Sequence, residues 1–409
     1  MIYRLLTILL WPVFFIYTLK ISLRDKSFRY FLQRLGFSYP PQKNKFIWIH
    51  CASVGEVNTY RALHLKLLTK FPDAQFVITT NTVTGAKTVH RHKFERTEHC
   101  YLPVESGFAI KRFIKAWQPS QCLIMETELW PLLYKTCHNN SISIFIINAR
   151  LSHRTLSANS WVKSLYKTSF SAVTKILCKS GNELNNFKTL GADTSQLLVT
   201  GNLKFSTSDD ALQDKPVNLN NRPYCVAAST HNDEELQLAT LWNKLNPNML
   251  LVLVPRHPTR SKQIQKQLDT LNLSYAVRSQ HLPEQPKLNN DTKIYLADTL
   301  GELTQFMLNA EFIFIGGSLI KHGGQNILEP CRLGKPTICG PHMFNFKEEV
   351  AFLLDNNACI QVNDLDELEH QISNYFDKPD DFIAVGNNAK SALQKQSTIL
   401  DNYISIISA

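Results

Sequence analysis

The chain has 409 residues, 44% of them hydrophobic and 19% charged, with a formal net charge of +10. That length exceeds one comfortable core and predicts two domains of roughly 150–200 residues, and the composition excludes a disordered chain. The positive balance asks for an anionic partner; with no zinc-finger spacing, RNA-recognition aromatics or long Lys/Arg block, that partner is expected to be a membrane surface or phosphorylated substrate rather than nucleic acid.

The first element is apolar. Residues 5–19, LLTILLWPVFFIYTL, lie between Arg4 and Lys20. As a helix they span roughly 22 Å, short of a hydrocarbon core of about 30 Å. A membrane anchor over residues 1–24, spanning or half-inserted, is expected, with a buried core helix as the alternative because Pro12 interrupts the run. Arg24, Lys26, Arg29 and Arg34 follow, a positive flank that predicts a cytoplasmic position for the rest of the chain.

Apolar runs of strand length come next: KFIWIH (45–50), QFVITT (75–80), QCLIME (121–126), ISIFIIN (142–148) and KILCKS (175–180). YCVAAS (224–229), MLLVLVP (249–255) and EFIFIGGS (311–318) complete the set. Helical patterns fall between most of them, at 56–70, 107–117, 232–245 and 259–271. Strands buried on both faces and separated by amphipathic helices read as parallel α/β sheets. The polar, turn-rich stretch 204–223 reads as a link between two doubly wound halves with a crevice between them, and ligands of such folds bind outside the carboxyl ends of the strands. The nine cysteines, scattered and never spaced as C-x-x-C, predict reduced thiols rather than a disulfide framework.

Several motifs sit at expected strand ends. In WIHCASVGEVNTYRAL, Glu56 stands where a buried strand hands over to a helix; the helix dipole there favours the ionised carboxylate, and a simple helix cap is the alternative reading. LIMETELWP carries Glu126 and Glu128, which share a face if the strand continues, as a paired-acid site or as helix caps. TGNLKF places Lys204 at the link. LVLVPRHPTR presents Arg256 and His257, suited to a phosphate or simply solvated. FIFIGGSLIKHGGQNILEPCRLGKP runs from a strand through two glycine pairs into a helix expected near Asn326. Its glycines and helix start suit an anion, with Glu329 placed to accept from a ribose diol; a glycine turn that merely packs is the alternative. There is no G-x-G-x-x-G, P-loop or H-E-x-x-H, and no metal site is expected.

Together, HCASVGEV, YLPVE, METELWP, INARLS, TGNLKF, AASTHNDEE, LVPRHP, GELTQF, FIGGSLIKHGGQNILEP and GPHMFNFKEE resemble the Kdo transferases of lipopolysaccharide biosynthesis. These move 3-deoxy-D-manno-oct-2-ulosonic acid (Kdo) from CMP-Kdo onto the lipid A precursor lipid IVA. The resemblance implies a GT-B glycosyltransferase fold, two doubly wound Rossmann-like domains flanking an interdomain cleft. Residues 25–205 would form the acceptor domain and 206–409 the CMP-sugar domain. It also implies an inverting reaction without metal or cofactor, at the cytoplasmic face of the inner membrane of a Gram-negative cell envelope. The family's catalytic base falls on Glu56 and its transition-state-stabilising positions on Glu126 and Lys204. Its CMP contacts fall on Pro255 and Arg256, on Leu300, Gly301 and Glu302, and on Asn326, Ile327, Leu328 and Glu329. The chain departs from the family at Leu132, where Asn is usual, and at Gln325-Asn326-Ile327, where His-Asn-Pro is usual. A single displacement with inversion needs one base, which fits a lone carboxylate. A membrane-associated transferase using a UDP-sugar and a non-catalytic tethered binding protein are the rival readings.

Overall fold

The computed structural model describes residues 2–40, 44–206, 215–281 and 288–409. The chain divides into two units, Met1–Ser208 with Ser397–Ala409, and Asp209–Gln396. Residues 207–214 of the expected link lie outside the described residues.

In unit 1 the strands are β1 (Phe46–His50), β2 (Gln75–Thr80), β3 (Thr97–Tyr101), β4 (Pro119–Met125), β5 (Ser143–Ala149), β6 (Lys175–Cys178) and β7 (Leu197–Val199). They pair in parallel in the order β3-β2-β1-β4-β5-β6-β7. Every side chain of β1 is buried, and its alternation feeds two cores. Phe46 and Trp48 join Phe113 and Trp117 on one face, while Ile47 and Ile49 join Leu63 and Leu67 on the other. Strand order reverses between β1 and β4, the switch point at which such sheets leave room for a ligand. The second core is completed by Ile399, Tyr403 and Ile407 of the C-terminal helix Thr398–Ile407. Residues 397–409 therefore belong with unit 1 and not, as the range 206–409 has it, with the second domain. Their apolar spacing says that they pack, not on what.

The expected anchor needs correction. The run breaks at Leu10 into helices Ile2–Leu9 and Trp11–Arg24, because Pro12 has no N–H to give and its ring clashes with the preceding turn. Among the described residues no helix is long and apolar enough to cross a membrane.

Unit 2 repeats the plan with β8 (Tyr224–Thr230), β9 (Leu250–Pro255), β10 (Tyr275–Val277), β11 (Ile294–Leu296), β12 (Ile313–Ile315), β13 (Thr337–Cys339) and β14 (Ile360–Gln361). The order is β10-β11-β9-β8-β12-β13-β14, again parallel, with the reversal between β8 and β12. All nine cysteines are buried free thiols.

Candidate functional site

Unit 1 gathers its chemistry at the carboxyl ends of β1, β4 and β5. Ser53 caps helix Val54–Lys70, its hydroxyl oxygen accepting from the Glu56 N–H at 3.3 Å. Glu56, one turn in, bends back so that both carboxylate oxygens are held. Oε2 accepts from the Ala52 N–H at 2.8 Å and Oε1 from the Ser53 hydroxyl at 2.9 Å. Burial pushes this carboxyl up and Glu126 adds to the push; the charge of His50 and the two hydrogen bonds oppose it, and the balance lies at about 7. Burial therefore works against the ionised form that the helix start favours.

Glu126 and Glu128 do not form a pair. β4 ends at Met125, and Glu126 takes a left-handed conformation with φ 56° that turns the chain, so the alternation assumed for i and i+2 fails. Glu126 Oε2 meets Arg150 Nε at 2.9 Å. Glu128 Oε2 instead lies 2.9 Å from each of His50 Nε2, Asn81 Nδ2 and Trp130 Nε1. Lys204 sits on the short turn Leu203–Ser206, whose start is fixed by its neighbours. The Leu203 N–H donates to Asn148 Oδ1 at 3.0 Å, and the Tyr403 hydroxyl donates to the Gly201 carbonyl at 2.9 Å. A side chain at Gly201, where φ is 95°, would meet Ile399 at 2.7 Å, so only glycine lets this loop pass the C-terminal helix.

In unit 2 the expected CMP-contact residues also lie at carboxyl ends of strands: Pro255 and Arg256 at β9, Leu300–Glu302 beyond β11, and Asn326–Glu329 beyond β12. Arg256 and Leu300 are exposed. The Glu302 carboxylate is already engaged by Arg278, Nη2 to Oε1 at 2.7 Å, and by the Thr299 hydroxyl, an arrangement that holds it low. Glu329 Oε1 accepts from the Thr304 hydroxyl at 2.9 Å. The helix expected near Asn326 is only Leu328–Arg332, and Asn326 Oδ1 caps the Leu328 N–H at 3.2 Å.

The glycine loop differs most from expectation. The Gly317, Ser318 and Leu319 N–H groups all donate to Glu234, at 2.6, 3.0 and 3.2 Å, and Glu234 is fully buried. A protein carboxylate thus fills the cradle expected for a ligand anion. Glu235 beside it forms a bidentate pair with Arg260, 2.7 Å and 3.0 Å. His231 packs against His322 with ring centroids 3.7 Å apart and the planes tilted by 34°, and its Nε2 lies 2.9 Å from Gln325 Nε2. An amide nitrogen donates, so His231 Nε2 accepts and the ring is neutral; burial, with His322 and His257 nearby, pushes it down to about 4.

Sequence reasoning missed His50, Asn81, Arg150, Glu234 and His231 as members of these clusters. HCASVGEV, INARLS and AASTHNDEE contain four of them, but a motif does not say which side chain faces which. Among the described residues no group of His, Cys, Asp and Glu is placed to hold a metal ion.

The family model for 3-deoxy-D-manno-octulosonic-acid transferase (kdotransferase) matches residues 29–207. A 3-deoxy-D-manno-octulosonic acid transferase of Haemophilus influenzae is 33% identical, the match covering 99% of this chain and 97% of the relative. One from Bordetella pertussis is 28% identical over 81% of this chain and 79% of its own. A solved glycosyltransferase structure from Rickettsia africae, 14% identical, covers 89% of this chain and 98% of its own with a TM-score of 0.58, a likeness of fold in which two parallel α/β sheets resemble the GT-B plan. The similarity to the Haemophilus influenzae protein runs the length of both chains and includes the strand ends where Glu56, Glu126 and Arg256 stand, and the chain belongs to the Kdo transferases.

Proposed function

We propose that the chain transfers Kdo from CMP-Kdo to lipid IVA with inversion, with Glu56 as the base. The observation that carries this is the Glu56 carboxylate, fixed through both oxygens and balanced near 7, at the switch point of unit 1. A base is most effective when its pKa is close to the working pH. The acceptor hydroxyl oxygen bonds to the anomeric carbon as its proton passes to Glu56, and the bond from that carbon to CMP breaks with its electron pair leaving on CMP. Positive charge growing at the anomeric centre is met by Glu126. Negative charge on the departing phosphate is met by Lys204 and Arg256. In this reading unit 1 receives the acceptor. Unit 2 receives CMP through Pro255, Arg256, Leu300, Gly301, Glu302, Asn326, Ile327, Leu328 and Glu329, and neither metal nor cofactor takes part.

The acceptor's lipid environment is matched by two inverted helices, Ile2–Leu9 and Trp11–Arg24. Along residues 2–24 the buried side chains include Thr7, Thr18 and Ser22, whereas Ile8, Leu9, Trp11, Val13, Ile16 and Leu23 are exposed. A helix that buries hydroxyls and shows apolar side chains outward suits an interface plane, and the basic balance suits anionic headgroups at the cytoplasmic face of the inner membrane.

The test is transfer by the purified chain from CMP-Kdo to lipid IVA, read by mass spectrometry. The wild type should add Kdo, with a rate that rises with pH through about 7 as Glu56 loses its proton. Glu56→Gln should lose about 10²–10⁴ in rate while still binding CMP. A folded Glu56→Gln protein within a few-fold of wild type, or a calorimetric preference for UDP over CMP, overturns the reading.

A further inference from the structure

Arg150 meets Glu126 through one edge of its guanidinium only. It follows the last residue of β5, and its Nε lies 2.9 Å from Glu126 Oε2. The Arg150 side chain is 46% exposed, that of Glu126 25%. A guanidinium also donates from Nη1 and Nη2, and among the described residues neither makes a hydrogen bond.

The backbone on both sides of this pair is held. The Glu126 N–H donates to the Ile147 carbonyl at 2.9 Å, one residue beyond β4, before the chain turns left-handed. β5 shifts register against β6 between Ile146 and Ala149, around Asn148, whose φ is 52°. That irregularity is pinned: the Asn148 N–H donates to the Tyr403 hydroxyl oxygen at 3.1 Å, and Asn148 Oδ1 holds the Leu203 N–H. The Ala149 carbonyl accepts from the Lys179 N–H at 3.2 Å, and the Leu151 N–H donates to the buried Glu183 carboxylate at 2.9 Å. Two groups assigned to the reaction therefore converge on the end of β5, Glu126 through the Arg150 side chain and the turn bearing Lys204 through Asn148. The strand end fixes where Arg150 starts, and Glu126 fixes where it points.

The sugar supplies the reason for a cation here. Kdo is a 2-ulosonic acid, so its carboxylate is bonded directly to the anomeric carbon. When that carbon comes to Glu126, a second carboxylate arrives one bond away, and like charges so close oppose each other. A guanidinium paired to one carboxylate through Nε and open at Nη1 and Nη2 relieves that opposition. Its planar fork also matches a carboxylate with two parallel N–H···O bonds. A sugar with hydrogen in place of the carboxylate leaves those donors without an acceptor, which is how a polar site rejects an analogue.

We propose that Arg150 is a specificity-determining residue that binds the carboxylate of the Kdo unit while holding Glu126, so that the site selects a sugar bearing a carboxylate on its anomeric carbon. The proposal rests on Glu126 facing the anomeric centre in the proposed reaction.

The experiment is steady-state transfer from CMP-Kdo to lipid IVA by wild type, Arg150→Met, Arg150→Lys and Glu126→Gln, with CMP as a competitive inhibitor. Arg150→Met should raise KM for CMP-Kdo by about 10–100-fold, the loss of charge-assisted hydrogen bonds. Its inhibition constant for CMP should stay within a few-fold of wild type, because the contact is to the sugar. Arg150→Lys keeps the charge without the fork, so its KM should rise less, and it tests the idea even if Arg150→Met does not fold. A lower kcat with unmoved KM in the folded Arg150 variants describes a residue that only tethers Glu126 and overturns the proposal. So does a parallel rise in KM for CMP-Kdo and in the inhibition constant for CMP. A wild type that transfers no Kdo, or Glu126→Gln at full rate, instead removes the reading of the site on which the proposal stands. A slow Glu126→Gln beside Arg150 variants with wild-type KM removes this proposal alone.

Discussion

Glu105→Gln should make the protein more stable at neutral pH. Glu105, in YLPVE, is 7% exposed and caps helix Pro131–Asn139 from outside, its Oε1 accepting from the Leu132 N–H at 2.5 Å and the Leu133 N–H at 3.4 Å. Its Oε2 is buried and has no hydrogen-bond partner among the described residues. Burial therefore outweighs the two N–H bonds and pushes the carboxyl from 4.5 up to about 8. Between those values the folded chain holds one proton more than the unfolded chain. Stability contributed by this group is complete below about 4.5 and is lost as pH rises toward 8, at about 1.4 kcal/mol per unit, so that about 3 kcal/mol is gone by pH 7. Gln keeps the shape and the acceptor and does not titrate. Urea unfolding followed by tryptophan fluorescence reads unit 1, which holds Trp11, Trp48, Trp117, Trp130 and Trp161 against Trp242 in unit 2. Wild type and Glu105→Gln should coincide near pH 5 and separate in favour of Gln at pH 7. Curves that stay parallel across this range, or a variant weaker at both ends, would show that Glu105 is ionised in the fold and refute the reasoning.

Two further outcomes follow from the sites described above. Glu329→Ala should weaken CMP binding by roughly 1.5–3 kcal/mol, the loss of a charged hydrogen-bond acceptor; an unchanged Kd by calorimetry in a folded variant removes Glu329 from the site. Replacing Leu9, Val13 and Ile16 by Ser should lower binding to vesicles containing anionic phospholipid with little change in Tm, because all three are exposed, and undiminished vesicle sedimentation would dismiss the lipid-facing reading of these helices.

What the sequence reveals of the fold is what burial on two faces imprints on it. FIWIH, QFVITT and LLVLVP announce strands because both faces of each are covered. β3 escaped notice because its residues are TEHCY, with His99 buried by virtue of a 3.0 Å hydrogen bond to Thr80 rather than by apolarity. β10, β11, β13 and β14 run for two or three residues each, too short for any period to register. The N-terminal run is apolar enough for lipid, but Pro12 divides it, and among the described residues no helix is long enough to cross a membrane.

The candidate sites divide along the same line, between local chemistry and long-range pairing. Glu56 is legible because a capping serine, a helix start and the carboxyl end of a strand are all local. The partnership of His50 with Glu128 spans 78 residues and exists only because β1 and β4 are neighbours in the sheet. Likewise, the glycine loop promises free N–H groups until Glu234, 83 residues before Gly317, supplies the anion from within the protein. That substitution changes how unit 2 must recognise a nucleotide sugar under the proposed function. With the N–H groups of 317–319 turned onto Glu234 and the Leu328 N–H onto Asn326, backbone dipoles there are already neutralised by the fold. The negative charge of a bound donor then falls to side chains at the strand ends, among which the exposed guanidinium of Arg256 carries a permanent charge and a two-pronged geometry, while the neutral His231 can contribute only a hydrogen bond.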